Sequence, residues 1–254
     1  MKRVNLFFLT ALAVLMLVGC KGDEPETQQL YKVGDYYPDP KAVYSDGVLQ
    51  SGTAAIGIVY WLDTAAPGYK AATKSGPSGK IVSLDEGNFW AWGPYGVEIG
   101  ATSLTDGLAN MAVVKRIDNT FSAYPAFAWV DQKNGVAGAT TYASGDKGKW
   151  YLPAVAELQY LLCAAAGKPY ETWSFQGSGN SDSYTPNFYQ GSGIDLSSFN
   201  AKLTSAGVLP FSAGTYWISS EINSFIAWSM FFYNGFTNYN DKTTDRRVRC
   251  VREF

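Results

Sequence analysis

The sequence contains no histidine. That absence removes Ser-His-Asp and Cys-His catalysis, and every zinc site built on imidazole. There is no P-loop and no GxGxxG strand-turn-helix signature. No Asp/Asn/Gly run has the spacing of a calcium loop, "DNTFSAYP" and "NYNDKTTD" being too irregular. The net charge is only -2 and no basic block precedes the last few residues, which argues against nucleic acid as a partner. Arg246, Arg247, Arg249 and Arg252 alternate as they would on a strand, a pattern of salt-bridged or solvated edges. For catalysis a carboxylate pair remains, since two acids suffice for glycoside hydrolysis. The candidates are Asp85, Glu86, Glu157 and Glu221. On a strand, adjacent Asp85 and Glu86 would point to opposite faces. No cofactor and no metal is expected.

Cysteine is scarce, with three residues, and one of them sits in a telling place. Lys2 and Arg3 precede "VNLFFLTALAVLMLVG", an uncharged run with the pattern of a signal peptide. Its end, Leu17-Val18-Gly19-Cys20, resembles a bacterial lipobox, which implies a lipid on Cys20; the alternative is an ordinary signal peptide with a chance cysteine. Acyl chains bury methylenes at about 0.8 kcal/mol each, so such a protein stays at a membrane. The stretch "KGDEPETQQLYKVGDYYPDP" is polar, acidic and proline-bearing, and reads as a tether. Its "KGDE" start resembles the export signal of Gram-negative surface lipoproteins, implying an outer-membrane anchor that faces outward. The expected organisation is signal peptide 1–20, flexible tether 21–40 and one domain, 41–254. The remaining pair, Cys163 and Cys250, are either two buried thiols or a disulfide. A disulfide closing a loop of roughly 90 residues would contribute about 4 to 5 kcal/mol.

From Lys41 onward short apolar runs alternate with glycine. "GTAAIGIVYWLD" and "KIVSLDEGNFWAWG" predict strands. Trp90 and Trp92 share a face of any extended segment, as a core pair or as a sugar-stacking pair. "KWYLPAVAELQYLLCAAAGKP" predicts a helix, with Pro153 in its first turn and Val155, Leu158, Leu162 and Ala166 as its stripe. Glu157 is placed to cap that first turn. "IDLSSFNAKLTSAG" predicts a second helix with Asp195 as N-cap and Leu196, Phe199 and Leu203 facing inward. Residues 172–194 read as a long loop, and "GTYWISSE", "IAWSMFFYNG" and "RRVRCVREF" as three closing strands. Such an order gives an α+β domain.

Taken together, "KWYLPAVAEL", "YWISSE", "AWSMFFYNG", Lys242 and "RVRCVREF" resemble the bacterial C-type-lectin-like domains of the formylglycine-generating-enzyme type. Relatives of that kind include the C-terminal domains of collagen-like adhesins and retroelement-diversified variable proteins. The motifs cover about 149–254; "GTAAIGIVYW", "IVSLDEG" and "YPAFAWV" extend the likeness loosely over 41–148. The resemblance implies a small twisted antiparallel sheet with two helices and long loops, and ligands met by the C-terminal third. It carries over no activity. Oxidase members bind copper through cysteines close in sequence, unlike Cys163 and Cys250, and the EPN, QPD and WND motifs of calcium-dependent lectins are absent. Ala154 stands where the family tends to carry Ser, at a cost of about 1 kcal/mol in helix-start stability.

On a strand, Trp228, Met230 and Phe232 point one way and Ser229, Phe231 and Tyr233 the other. The family pattern puts the Trp228 set in the core. The outward set would continue into a loop of Asn234, Phe236, Thr237, Asn238, Tyr239 and Asn240, joined by the turn residues Asn223, Ser224 and Phe225. Tyr, Phe, Ser, Thr and Asn are the palette of antibody binding loops. The competing arrangement packs Phe231 and Tyr233 beneath the 172–194 loop. The expected role is a cell-surface adhesin or receptor that binds an extracellular protein or a glycan. A carboxylate glycoside hydrolase and a structural assembly subunit are the alternatives.

Overall fold

The computed structural model describes residues 31–62, 79–136, 138–170, 173–176, 183–186 and 193–254. The signal peptide, Cys20 and the first part of the tether lie outside the described residues. The described residues begin with β1 (Tyr36–Tyr37), a hairpin of β2 (Val43–Ser45) and β3 (Val48–Ser51), then β4 (Gly57–Leu62), β5 (Gly79–Ser83) and β6 (Gly87–Trp90). Next come α1 (Gly107–Ile117), α2 (Pro125–Gln132), β7 (Trp150–Tyr151) and α3 (Val155–Ala165). β8 (Trp173–Gln176), β9 (Ser183–Pro186) and α4 (Ser197–Ser205) follow. The last elements are β10 (Thr215–Glu221), β11 (Ile226–Phe231), β12 (Phe236–Asp241), β13 (Arg246–Val248) and β14 (Val251–Glu253).

The architecture is α+β, as expected from the sequence, but with two main sheets and four helices among the described residues. One sheet has the order β1-β4-β5-β14-β7 and is antiparallel throughout. The other has the order β6-β13-β10-β11-β12-β9-β8, with a single parallel contact between β10 and β13. Part of the segment read as a long loop is thus the β8–β9 edge of this sheet.

α3 is the helix the sequence predicts. Val155, Leu158 and Leu162 are buried, and the Glu157 carboxylate accepts from the Ala154 amide at 2.9 Å, which caps the first turn. The second predicted helix is α4, with Phe199 and Leu203 buried. Leu196 rather than Asp195 occupies the N-cap position; Asp195, two residues ahead of the helix, accepts from the Ser197 amide at 2.9 Å. α1 and α2 were not expected. In α1, Asp106 caps the Ala109 amide at 2.9 Å, and Leu108, Met111 and Val114 turn inward together with a buried Asn110. α2 starts at Pro125, where the missing amide hydrogen costs nothing.

One further expectation is corrected, and one open alternative is decided. Residues 31–40 are not tether: Tyr31 and Tyr36 are buried, and β1 pairs with β4, Tyr36 opposite Ile58. The rings of Tyr31 and Tyr37 pack on Phe254, with centroids 5.3 and 4.5 Å away, and this aromatic burial holds the segment on the domain. Cys163 and Cys250 are both buried thiols with no bond between them. They belong to different layers, Cys163 to α3 and Cys250 to the link between β13 and β14. Burial pushes the Cys250 thiol up to about 12.

Candidate recognition surface

β11 and β12 form a hairpin, and residues directly opposite in an antiparallel pair share a face. Ser229 faces Asn238, Phe231 faces Phe236 and Ala227 faces Asn240. On the other flank Trp217 faces Ser229 and Thr215 faces Phe231. One face of the sheet therefore carries Thr215, Trp217, Ser229, Phe231, Phe236, Asn238 and Asn240. The opposite face carries Trp228 with Tyr239 and Met230 with Thr237. Trp228, Met230 and Phe232 are buried as expected; Phe232 packs against Phe211 and Tyr216, with centroids 5.2 and 4.3 Å away.

The candidate residues divide under this geometry. Phe231 and Tyr233 are 38% and 41% exposed, their rings 5.8 Å apart at the end of the hairpin. Phe225, 46% exposed, lies at the other end of β11 and meets Tyr95 at 4.8 Å. The five steps of β11 between them span about 17 Å. Ser229 faces the expected way yet is only 3% exposed. Its hydroxyl donates to the Asn240 side-chain oxygen at 2.9 Å, which also accepts from Arg246 Nε at 3.0 Å. Trp217, fully buried, stands directly opposite Ser229 on this face.

Thr237 leaves the recognition set, and half-buried Tyr239 turns to the other face. Residues 236–240 belong to strand β12 rather than a loop, because β12 has partners on both sides, β11 and β9. Thr237 is fully buried, and Tyr239 points to the Trp228 side. The asparagines mostly shape backbone. Asn223 accepts from the amides of Phe225 and Ile226 at 2.8 and 3.1 Å, and Asn234 from that of Phe236 at 2.9 Å. Asn238 accepts from its neighbour's amide at 2.8 Å. Ser224 is half-buried, its carbonyl accepting from the Gly96 amide at 2.9 Å. Tyr233 also touches the described end of the 172–194 segment: its carbonyl accepts from the Ile194 amide at 2.8 Å, and its ring lies against Gly193. Both arrangements weighed for Tyr233 thus hold in part.

The sequence pairing of Trp90 with Trp92 does not hold. Trp92 is fully buried, its indole donating to the Ile218 carbonyl at 2.9 Å, whereas Trp90 is 39% exposed. Phe89 adopts φ +59°, a left-handed backbone that breaks the alternation and leaves neighbouring Phe89 and Trp90 both exposed. Arg247 lies over the Phe89 ring at 5.3 Å, and Trp90 pairs with Arg246 across β6 and β13. Nothing in the sequence pattern signals Phe89 or Tyr95, because neither has the period of a buried strand or helix.

The four candidate acids all have partners. Glu221 accepts from Lys242 and from the amides of Ile99 and Gly100, inside the core. Glu86 accepts from Arg247 at 2.7 Å, Arg249 at 3.2 Å and Tyr216 at 2.6 Å. Glu157 accepts from Lys80, Tyr151 and two amides. Asp85 pairs with Lys133 at 2.6 Å.

These elements lie within or beside the part of the chain that compares with known proteins. The Lcl C-terminal domain family matches residues 103–252, more than half of the sequence. The chain belongs to that family. In this Lcl C-terminal domain, the matched span includes all four helices, the β11–β12 hairpin and β13, and leaves Phe89, Trp90 and Tyr95 outside. Among solved structures, a fimbrial protein from Bacteroides ovatus is similar, with 18% identity and a TM-score of 0.49. The similarity covers 88% of this chain and 49% of that one, so the chain spans about half the length of that protein. No curated protein matches the chain.

Proposed function

We propose that this Lcl C-terminal domain is carried on a surface lipoprotein and binds an extracellular protein or glycan through the β11–β12 hairpin. The exposed aromatics carry the reading: Phe231 with Tyr233 at one end of the hairpin and Phe225 with Tyr95 at the other. Aromatic side chains bring contact area at low entropic cost, and clustered exposed ones mark interaction sites. Asn238 and Asn240, half-buried between the two pairs, supply polar groups on the same face. The candidate acids are engaged by lysine, arginine or backbone amides, which favours binding over carboxylate catalysis.

The test screens the purified protein on an array of extracellular proteins and glycans, beside a Phe231→Ala/Tyr233→Ala variant and a Phe225→Ala/Tyr95→Ala variant. Loss of a wild-type signal in either variant supports the hairpin as the binding surface. Equal signals in all three move the site elsewhere. Concentration-dependent self-association that both variants abolish would replace the receptor reading with an assembly subunit. For the anchor, an alkyne-palmitate label incorporated by cells is expected to disappear in Cys20→Ala; a label that persists would overturn lipidation at Cys20.

A further inference from the structure

A second site lies away from the hairpin, in a cavity of about 500 Å³ between β4, β5, β14 and the first turns of α3. That volume suits a ligand of disaccharide size. Trp61, Tyr160 and Tyr170 form its aromatic wall. Tyr160 stacks on Tyr170 at 3.7 Å and meets Trp61 edge-on at 6.4 Å, so the rings make a corner rather than a closed plug. All three rings remain half-buried. The polar floor is Lys80, which donates to Glu157, to Glu253 at 2.8 Å and to the Tyr151 hydroxyl at 3.0 Å.

Two observations point to a ligand and to its class. Tyr60 lines the cavity and is 2% exposed, yet its buried hydroxyl makes no hydrogen bond among the described residues. A buried hydroxyl without a partner costs about 1 to 3 kcal/mol, which a ligand group at hydrogen-bond distance would recover. Among the described residues the lining also balances its charges: two lysines, Lys80 and Lys147, against two glutamates, Glu157 and Glu253. A site without net charge holds no preference for an anion or a cation. Sugar hydroxyls both donate and accept, which suits a lysine, a carboxylate and a phenol side by side. The C–H face of a pyranose suits the aromatic corner.

We propose that this cavity is a binding site for the neutral end of a saccharide, separate from the hairpin surface. Ring stacking on Trp61 and Tyr160 supplies area, and hydrogen bonds to Tyr60 and Glu253 orient the sugar. Gly79 helps to shape the site, since a Cβ there would stand 2.5 Å from the Phe254 ring that lines it.

Isothermal titration of the purified protein with cellobiose, lactose, maltose and diacetylchitobiose tests the proposal. At least one disaccharide is expected to bind. Trp61→Ala is expected to weaken it about tenfold, and Tyr60→Phe by about fivefold. Tyr60→Phe should leave the melting temperature unchanged or higher, because the hydroxyl has no partner to lose; a merely structural tyrosine would show the reverse. If Trp61→Ala fails to fold, Tyr60→Phe decides alone. Phe231→Ala/Tyr233→Ala is expected to keep full disaccharide affinity, so failure here and failure of the hairpin reading are told apart. Binding of none of the four sugars, or unchanged affinity in Tyr60→Phe, overturns the proposal.

Discussion

Two lysines are held against glutamates in this domain, and they differ in what surrounds them. Lys242 and Glu221 are both fully enclosed, and the ammonium also donates to the Val97 carbonyl at 2.6 Å and lies over the Trp92 ring at 4.9 Å. That pair ties the turn after β12 to the last residue of β10 and to the 97–100 segment. Lys80 bridges Glu157 and Glu253, but its side chain keeps 16% and that of Glu253 23% of its surface open to the cavity. A sealed pair can only be structural, since no ligand reaches it. An open pair keeps its geometry while leaving a carboxylate edge available.

The comparison breaks or sharpens by substitution. Lys242→Ala leaves Glu221 charged and enclosed, so a loss of about 3 to 5 kcal/mol is expected in urea unfolding. Adding Glu221→Gln to that variant should recover part of it, because the amide oxygen still accepts from Ile99 and Gly100. If the second change recovers nothing, the isolated charge is not what destabilises. Lys80→Met should cost less, about 2 kcal/mol, because water reaches Glu253 and relieves the stranded carboxylates.

This second effect carries a pH signature. Burial pulls the Lys80 pKa down, but Glu157 and then Glu253 outweigh it and hold the pKa above its ordinary value. A raised folded pKa means the lysine's contribution is complete below the unfolded value of about 10.4. It is lost as pH rises through the higher folded value. The stability gap between wild type and Lys80→Met should therefore be flat at neutral pH and close in strong alkali. A gap that widens with alkali would reverse the assignment. Smallest of all, Glu253→Gln should cost under about 1 kcal/mol, as a partly open ion pair does. A cost equal to that of Lys242→Ala would show that enclosure is not what separates the two clusters.

Parts of this architecture were legible in the sequence for identifiable reasons. α3 has three apolar turns in register, so burial of Val155 and Leu158 follows from period alone, whereas in β11 alternation only separates two faces and the family resemblance selects the one with Trp228 and Met230 as the inner one. α1 was hidden because its inner face includes Gly107 and Asn110, whose side-chain amide donates to Ser219 at 3.0 Å only once β10 is in place. α2 was hidden because eight residues with two aromatics read equally well as a strand. β12 was read as a loop because Asn and Asp disfavour strands; pairing on both edges overrides that preference. Within the candidate site, alternation gave the face of Ser229 correctly. Its burial comes with its place between Trp217 of β10 and Asn238 of β12, neighbours from other strands that no local pattern encodes.

The order of strands has a consequence for biogenesis. β13 lies between β6 and β10 in one sheet, and β14 lies between β5 and β7 in the other. A nascent chain that has been made as far as residue 245 thus lacks an interior strand of both sheets at once. Neither sheet can close before residues 246–253 arrive, so the two sheets are completed by one short segment and neither can fold as an independent unit ahead of the other.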